Sequence, residues 1–381
     1  MYQRLYKATT HYIPTMKLLN FTPLLLLISL TGHSQLNDKI PGIIKPGDSG
    51  FVSSELIYPL TNKPTAQCHA STIVELSDGL MAAWFGGSHE RNPDVGIWTS
   101  INKNGLWSQP VQVANGFQND SLRYPCWNPV LFKPSTGPLM LFYKIGPSPS
   151  EWWGMLTTSN DEGRTWTNPT RLGKDPAIND LLGPVKNKPI QLADGTILCP
   201  SSREIEINDK DQWRVHFELT KDFGKTWKVI GPINDGIEFN AIQPSILTYA
   251  DGRMQIVCRT QEGTVGQSWS TDHGQSWSKM KASNLPNPNA GTDAVTLKDG
   301  RQLMVYNHTT NKGNFPSGRN MLNVAISKDG IEWKPIATLE RSRGEYSYPA
   351  VIQTANGQVH ITYTYLRRSI KHVVLEVSQL K

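Results

Sequence analysis

Short apolar runs separated by glycine-containing turns recur along most of the chain. Each run alternates apolar and polar residues or is continuously apolar, which is the pattern of β-strands rather than of helices. In each unit one run leads through a turn such as Asp-Gly or Asn-Gly into a second run, and these dipeptides supply the positive φ angles of tight hairpins. Six hairpins are predicted, with turn glycines at Gly79, Gly137, Gly195, Gly252, Gly300 and Gly357.

A second motif follows most of the hairpins. It reads "SNDEGRTW", "TKDFGKTW" and "STDHGQSW", with a shortened "SKDGIEW" and a diverged "SINKNGLW". The Asp can accept backbone N–H bonds across the turn, the Gly takes the special dihedral angles, and the Trp buries its ring between layers. This is the Asp-box motif, and we predict a structural role for it. Its copies end at Trp107, Trp166, Trp227, Trp277 and Trp333.

The two hairpins of each unit predict a four-stranded sheet. The turn glycines repeat at steps of 58, 58, 57, 48 and 57 residues. Six four-stranded sheets arranged radially make a six-bladed β-propeller. The predicted fold class is therefore all-β, with antiparallel blades that carry Asp-box hairpins, in one domain over residues 40–381. The segment "SSELIYPL" near Ile57 is expected to supply the strand that closes the ring against the last blade.

Residues 1–35 are predicted to be a secretory signal peptide. The stretch from Met16, "MKLLNFTPLLLLISLTGHSQ", has one Lys, an apolar run and then small and polar residues. The apolar run is too short and too near the start for a membrane span. The residues before Met16 are interpreted as a possible upstream start-site artefact. The protein is expected to be exported, periplasmic or secreted, with no membrane insertion after the signal is removed.

Composition and charge narrow the function classes. The chain has 381 residues, among them 31 Gly, 26 Pro and 12 Trp, and a formal net charge of +6 that is spread along the chain. There is no basic run and no nucleic-acid motif, so no nucleic-acid partner is predicted, and a mild preference for an acidic substrate remains. No metal-binding motif occurs, and neither a metal nor another cofactor is predicted. The oligomeric state is not predicted. Four cysteines match no zinc spacing and are expected to be buried free thiols: Cys68, Cys126, Cys199 and Cys258.

Polar residues open each predicted inner strand. The six openings read "QCHAS", "YPCWNP", "VKNKP", "NAIQP", "GTDA" and "EYSYP". Inner strands line the axis of a propeller, so these groups are expected to converge on one substrate site. An error of one residue in register would turn a side chain to the other face. The residues are His69, Trp127, Asn128, Lys188, Gln243, Asp293, Tyr346 and Tyr348.

Loops beyond these openings add charged and aromatic side chains. Exposed aromatic residues among Arg and Lys suit an acidic sugar, because aromatic faces cover ring C–H groups and a guanidinium binds a carboxylate at two points. For any single Arg, a surface salt bridge is the alternative. The candidates are Glu90, Arg91, Asp94, Lys144, Trp152, Trp153, Arg203, Arg214, His216, Glu218, Arg259 and Arg319.

Through its Asp boxes and six units, the sequence resembles the sialidase superfamily, and it resembles the bacterial BNR repeat-like group more closely still. The segments "CHASTIVEL", "CWNPVLF", "WRVHFE", "LPNPNAGTDAV" and "GEYSYPAVIQ" carry the second resemblance, which spans essentially the whole mature chain. Sialidases bind the substrate carboxylate with three arginines and use a Tyr–Glu pair as nucleophile and an Asp as acid/base. The resemblance implies that Arg259 and Arg319 are the second and third arginines and that Tyr346 is the nucleophile. It implies that Asp94 or Glu90 lies on the acid/base loop.

Two positions depart from the sialidase pattern. The place of the first arginine reads "CHAS", with His69, and the place of the glutamate that activates the tyrosine reads "IQP", with Gln243. An amide cannot act as a base toward a phenol whose pKa is about 10. These departures argue against the ordinary retaining sialidase reaction.

The remaining groups suit β-elimination from a uronate, whose C5–H is acidic because it adjoins the carboxylate. Cationic groups stabilise the enediolate, one residue removes the proton, and another protonates the leaving oxygen. We therefore expect a lyase or dehydratase that acts on a terminal uronic acid of an oligosaccharide. Tyr346 and His69 are the expected proton-transfer pair in either order, with His216 in reserve. The carboxylate is expected to bind Arg259, Arg319 and Lys188.

Two alternatives stay open. The first is an exo-sialidase or another exo-glycosidase that uses Asp94, Glu90 or Glu218 together with Tyr346, with a stereochemical outcome set by carboxylate geometry. The second is a non-catalytic glycan-binding propeller. In all three hypotheses the partner is an acidic oligosaccharide.

Overall fold

Six antiparallel β-sheets make up the structure, a computed structural model that describes residues 40–207, 210–310 and 318–380. Neighbouring sheets pack against each other around a ring through apolar clusters, so the sheets are blades of a six-bladed β-propeller. This confirms the predicted fold class. The only helix in the described residues is the short 3-10 turn Val377–Gln379, and none is long and apolar enough to cross a membrane. The predicted signal peptide lies outside the described residues.

Strands are numbered β1 to β25 in chain order, and the first strand belongs to the last blade. The first blade contains β2 (Gln67–Leu76), β3 (Gly79–Gly87), β4 (Gly96–Lys103), β5 (Leu106–Trp107) and β6 (Val111–Ala114), the last two both paired with β4. The second contains β7 (Cys126–Phe132), β8 (Leu139–Ile145), β9 (Trp153–Ser159) and β10 (Thr170–Arg171). The third contains β11 (Ile190–Gln191), β12 (Ile197–Ile207), β13 (Lys210–Thr220) and β14 (Lys228–Ile230).

The second half of the ring repeats this order. The fourth blade contains β15 (Ala241–Thr248), β16 (Met254–Thr260), β17 (Thr264–Ser270) and β18 (Lys281–Pro286). The fifth contains β19 (Asp293–Thr296), β20 (Gln302–Tyr306), β21 (Met321–Ser327) and β22 (Lys334–Arg341). The sixth contains β23 (Tyr346–Gln353), β24 (Val359–Tyr365), β25 (Ser369–Leu375) and β1 (Phe51–Leu56).

The ring closes through β1, which pairs antiparallel with β25. Ser54 lies opposite Val373 and Leu56 opposite Lys371. The sixth sheet therefore combines a strand from before the first blade with three strands that follow the fifth blade. The expected closing strand near Ile57 is confirmed.

Apolar side chains fill the spaces between neighbouring blades. Met81 of the first blade and Leu141 of the second belong to one fully buried cluster. Leu198 of the third blade and Ile256 of the fourth belong to another. Burial of such a side chain contributes about 1.5–3 kcal/mol. The four cysteines also lie in this interior and are unpaired, as expected.

The Asp boxes tie the outer hairpins together. In the fourth blade the Asp272 carboxylate accepts bonds from the Ser276 amide at 2.9 Å and from the hydroxyls of Ser276 and Ser270. These bonds lower the pKa of Asp272 to about 2. The Trp277 ring stacks on Phe217 of the third blade with ring centroids 4.6 Å apart. The motif thus fixes a turn and joins two blades, in agreement with its predicted structural role.

Candidate functional site

Bulges interrupt the inner strands where they open toward the axis. A bulge adds a residue to one strand and turns a side chain in a new direction. The pairing registers shift between His69 and Thr72, Trp127 and Val130, Ile242 and Ser245, and Ser347 and Ala350.

The residue nine positions before each turn glycine has an unusual backbone in five blades. Each has a left-handed φ: Ala70 (54°), Asn128 (41°), Lys186 (68°), Gln243 (57°) and Tyr348 (52°). This conformation costs about 1–2 kcal/mol per non-glycine residue, and such strain clusters at functional sites.

The fifth blade has Gly291 at the same position. A Cβ atom on Gly291 would lie 3.2 Å from Gln243 Oε1 and 3.3 Å from both Lys186 Cε and Tyr348 Cδ2. Three of the left-handed residues therefore converge on one point of the axis, where a side chain from the fifth blade would be crowded.

Tyr348 is the centre of this axial cluster. Its hydroxyl oxygen accepts a hydrogen bond from Arg259 Nη1 at 2.6 Å, and Gln243 Nε2 lies 3.4 Å away. Its ring packs on His69 with centroids 4.1 Å apart. The guanidinium carbon of Arg319 lies 5.5 Å from the ring centroid. The structure therefore brings together the predicted residues His69, Gln243, Arg259, Arg319 and Tyr348.

Arg259 is buried, with 9 % of its surface exposed. Its Nε donates to Asn289 Oδ1 at 2.7 Å, and its guanidinium carbon lies 4.9 Å from the centroid of the Trp213 ring. Within the described residues, its hydrogen bonds go to neutral groups, Asn289 and Tyr348. No carboxylate in the described part of the chain forms a salt bridge with this guanidinium.

His69 is neutral in this environment. Burial lowers the pKa of His69 well below its usual value, and the charges of Arg367, Arg319, Arg259 and Lys186 lower it further. Its Nδ1 shares a 2.8 Å hydrogen bond with Thr364 Oγ1. The neutral imidazole can donate or accept a hydrogen bond next to Tyr348. At neutral pH it is not an imidazolium, so it cannot act as a cationic acid.

Lys186, which the sequence analysis missed, takes the axial place expected for Lys188. Its ammonium lies 6.0 Å from the Tyr348 ring centroid and donates to the carbonyls of Thr292 at 2.5 Å and Pro349 at 2.7 Å. Burial lowers the pKa of Lys186 to about 7.

Lys188 and Asp293 form a structural ion pair and not part of a substrate-binding site. The Lys188 ammonium lies 2.8 Å from Asp293 Oδ2, and the same oxygen accepts the Val351 amide at 2.8 Å. The other carboxylate oxygen accepts the Ser245 hydroxyl at 2.8 Å. In this network the Asp293 carboxylate balances the charge of Lys188 and links the third, fourth, fifth and sixth blades. Both residues were expected to bind the substrate, and the structure corrects this expectation.

A third arginine, Arg367, reaches the cluster from the turn between β24 and β25. The two turn residues, Leu366 and Arg367, have φ values of 55° and 56°. Arg367 Nε lies 2.9 Å from Glu345 Oε2, its Nη1 contacts Glu90, and Arg319 Nη1 lies 3.1 Å from Glu345 Oε1. Burial alone would raise the pKa of Glu345, but Arg367 and Arg319 hold it below its usual value. The sequence analysis missed both Arg367 and Glu345.

Tyr346 does not lie in the axial cluster, which corrects its expected position. Its hydroxyl shares a 2.6 Å hydrogen bond with Ser342 Oγ, and its ring lies 5.4 Å from that of Tyr365. It packs in the apolar cluster between the fifth and sixth blades. The bulge after Ser347 turns Tyr348, rather than Tyr346, toward Arg259.

His216 and Arg214 also lie away from the cluster. Both are on β13, outside the inner strand of the third blade. His216 Nε2 lies 2.9 Å from Glu218 Oε1, and Glu218 accepts the Gly183 amide. Arg214 Nη2 donates to Gln212 at 2.9 Å. These contacts hold the third blade together, so the structure gives His216 no position as a reserve base.

Asp94 and Arg91 are on the loop after β3. The Asp94 carboxylate accepts bonds from the amide and hydroxyl of Ser88, so it shapes this loop. Arg91 is exposed and has a φ of 75°.

Trp127 and Asn128 open the second blade. Trp127 is buried, donates its indole N–H to the Gly146 carbonyl at 2.8 Å, and packs on Phe85 and Trp152. Asn128 is buried at the axial bulge. Trp127 therefore supports the opening of the strand, while Asn128 has the backbone geometry of the axial residues.

A cleft of about 590 Å³ lies between the second and third blades, and Glu204 on β12 is in its wall. Burial raises the pKa of Glu204, against the opposing charge of Arg259. The sequence analysis missed Glu204. The available signal was the run of alternating Glu residues in "SSREIEIN".

The profile of the BNR repeat-like domain family matches residues 78–361. The chain belongs to this family. This BNR repeat-like propeller is 25% identical to a sialidase of Bacteroides fragilis (strain YCH46) over 241 residues, which are 60% of the chain and 41% of the relative. It is 22% identical to an anhydrosialidase of Macrobdella decora over 224 residues, 54% of the chain and 28% of the relative. The chain thus spans less than half the length of these curated relatives.

Solved structures share the fold of this BNR repeat-like propeller. A protein of unknown function from Dyadobacter fermentans aligns with a TM-score of 0.70 at 16% identity, covering 88% of this chain and 100% of that one. The Hadza microbial sialidase Hz136 aligns with a TM-score of 0.70 at 17% identity, covering 86% of this chain and 69% of that one. At these identities the likenesses show a shared propeller fold.

Proposed function

We propose that the protein is a sialidase-like glycosidase in the broad sense, an enzyme that releases a terminal acidic sugar from an oligosaccharide at the propeller axis. The observation that carries the proposal is the buried guanidinium of Arg259, whose hydrogen bonds in the described residues go only to neutral groups. A buried charge without a counter-ion is costly, so this site favours an anionic ligand. A sugar carboxylate would supply the missing charge through hydrogen bonds to the guanidinium.

The neighbouring cations already form ion pairs within the protein. The substrate carboxylate is therefore proposed to bind at Arg259 rather than elsewhere in the cluster. Arg319 and Arg367 already contact Glu345, and Arg367 also contacts Glu90. Lys188 is neutralised by Asp293. The names of the two curated relatives, a sialidase and an anhydrosialidase, agree with an acidic sugar as substrate.

For the chemical step we propose β-elimination from a terminal uronate. Arg259 holds the carboxylate and stabilises the enediolate. Tyr348 acts as the phenolate, whose negative charge the N–H of Arg259 stabilises, and removes the C5 proton. The C5–H electron pair forms the C4–C5 double bond as the bond from C4 to the oxygen of the neighbouring sugar breaks, and Tyr348 returns the proton to that oxygen. The uronate released is therefore the one at the reducing end, whose O4 carries the rest of the glycan. Neutral His69 holds the tyrosine ring in place.

Hydrolysis in the manner of a sialidase is the second candidate, and the relatives' names favour it. Glu204 is a partly buried carboxyl with a raised pKa, as a general acid requires. In a hydrolytic reaction the amide of Gln243, and not a carboxylate, would lie beside the Tyr348 hydroxyl, which departs from the Tyr–Glu pair of the sialidase pattern.

The experiment compares oligosaccharides that end in a uronate with oligosaccharides that end in a sialic acid. Ultraviolet absorbance of the unsaturated uronate and product mass are followed together. New absorbance, with product masses that sum to the substrate mass, supports elimination. Products whose masses sum to the substrate mass plus one water, without new absorbance, contradict elimination and support hydrolysis. Binding without any product would overturn the enzymatic proposal in favour of a glycan-binding propeller.

A further inference from the structure

Asn289 links two of the three arginines of the axial cluster. It is half-buried in the loop between β18 and β19, and its side-chain Oδ1 accepts the bond from Arg259 Nε at 2.7 Å. Its main-chain carbonyl accepts a second bond, from Arg319 Nη2 at 3.2 Å. The φ of Asn289 is 63°, a left-handed conformation that Asn adopts more readily than most residues. One residue therefore contacts both guanidiniums, through two different acceptor oxygens.

The loop that carries Asn289 is fixed by contacts within the protein. Asn287 Nδ2 donates to the Ala290 carbonyl at 2.9 Å, and Asn287 Oδ1 accepts the Ala290 amide at the same distance. Both residues are fully buried, and the Asn287 amide donates to the Gly263 carbonyl of the fourth blade at 3.0 Å. Because Asn289 lies between these two anchored residues in the chain, its position does not depend on a bound ligand. Preorganisation of this kind lowers the entropic cost of binding.

The arginines of the cluster differ in the charge of their partners. Arg319 Nη1 and Arg367 Nε contact the Glu345 carboxylate. The amide oxygen of Asn289 satisfies the Nε–H of Arg259 but has no formal charge, so the charge of Arg259 is not balanced by this contact. A carboxylate in its place would form an ion pair with Arg259 and compete with an anionic ligand for the guanidinium.

We infer that Asn289 is a positioning residue, which orients the Arg259 guanidinium and, because it is neutral, leaves the charge of Arg259 for the carboxylate of the substrate. The inference rests on the proposed function, in which a sugar carboxylate binds Arg259. It adds the reason why this arginine, and not Arg319, is available to that carboxylate.

Two substitutions separate the charge of Asn289 from its shape. Asn289→Asp keeps the size of the side chain and an acceptor oxygen for Arg259, but it adds a negative charge. Asn289→Gly removes the acceptor and tolerates the left-handed φ, so Arg259 keeps its charge and loses one contact. If Asn289 only shapes its loop, Gly is the more damaging change, because Asp is nearly isosteric with Asn. If its neutrality matters, Asp is the more damaging change.

The probes are the acidic monosaccharides D-glucuronate and N-acetylneuraminate, and ligand-observed NMR titration measures their dissociation constants. Asn289→Asp should raise the dissociation constant at least about tenfold for the anion that the wild-type protein binds, because the new carboxylate balances the charge of Arg259. Asn289→Gly should raise it about fivefold, the effect of one hydrogen bond. Asn104→Asp makes the same substitution at an exposed turn with a φ of 53° and should leave the dissociation constant unchanged. Denaturant unfolding checks that each variant is folded.

Failure of this inference is separable from failure of the proposed function. Equal dissociation constants in wild type and Asn289→Asp, or a larger effect of Asn289→Gly, would overturn the role of Asn289 and leave the carboxylate site in place. If the wild-type protein binds an anion but cleaves no oligosaccharide, the enzymatic proposal is wrong, and a larger effect of Asp than of Gly still supports the role of Asn289. If the wild-type protein binds neither anion, both the inference and the proposed carboxylate site are overturned.

Discussion

The axial side chains depend on backbone conformations that most residues avoid. Lys186, Gln243 and Tyr348 all have left-handed φ angles and converge beside Gly291. In a regular strand Tyr346 and Tyr348 would face the same way, because side chains alternate between faces. The bulge after Ser347 separates them, so one tyrosine lies at the axis and the other packs between blades.

This difference gives a matched pair of variants. Tyr348→Phe removes the hydroxyl that accepts the bond from Arg259, and it should lower kcat by about 10²–10⁴-fold, the range for loss of a proton-transfer group. Tyr346→Phe removes a hydroxyl bonded to Ser342 and should leave kcat within about threefold of wild type. Steady-state kinetics on the cleaved oligosaccharide measures both. Loss of turnover in Tyr346→Phe, with Tyr348→Phe fully active, would place the reaction outside the axial cluster.

At the scale of single residues, the sequence predicted which types of residue meet at the propeller axis, but it assigned several of them to the wrong positions. His69, Gln243, Arg259, Arg319 and Tyr348 were predicted and are found together. Lys188 was expected in place of Lys186, and it precedes a proline, as Gln243 and Tyr348 do. The constant distance of nine residues to the turn glycine identifies Lys186, and it also identifies Gly291 in the fifth blade. Arg367 could not be found this way, because a turn residue of the sixth blade carries no repeat signal.

The hairpins and Asp boxes were predictable because their signals are local. A turn glycine must take a positive φ, and an Asp-box carboxylate bonds residues only two to four positions away. Alternating apolar residues then set the face of each strand. Bulges carry no such local signal, since they depend on how one strand meets the next, and for this reason the strands were predicted more reliably than the directions of their first side chains.

The Asp boxes should contribute to stability and not to catalysis. Asp272→Ala removes a carboxylate that accepts three hydrogen bonds in its turn, so the free energy of unfolding should fall. Asp251→Ala is the control and should lower the free energy of unfolding less, because its exposed carboxylate bonds only Arg253 among the described residues, through the amide and the side chain. Denaturant unfolding measures both variants, and kcat should be unchanged in each. An equal stability loss in the two variants would contradict a special role for the Asp box.

The ring closure contains a buried pair of histidines. His360 Nδ1 lies 3.0 Å from His372 Nε2, and His372 Nδ1 lies 3.3 Å from Glu55 on the closing strand. Burial, with a smaller effect of His372, lowers the pKa of His360 from 6.5 to about 4. The unfolded chain therefore binds more protons than the folded propeller between these pH values.

The propeller should accordingly lose stability as the pH falls from about 6.5 toward 4, and His360 alone accounts for about 3 kcal/mol of that loss. Replacement by an uncharged residue, His360→Asn, should make the free energy of unfolding less dependent on pH in this interval. His273→Asn, at an exposed turn position with a φ of 56°, is the control and should leave the slope unchanged. Identical slopes in wild type and His360→Asn would show that this histidine titrates normally.

The closing pair of β1 and β25 also has a consequence for synthesis on the ribosome. The strand that completes the sixth blade is made before any blade, but its partner β25 is made only after the other five blades. Until β25 is made, β1 has no strand to pair with, and the blades already formed are an open series with an unpaired edge. Translation therefore sets the earliest moment at which the axial residues of the first and sixth blades, His69 and Tyr348, can meet.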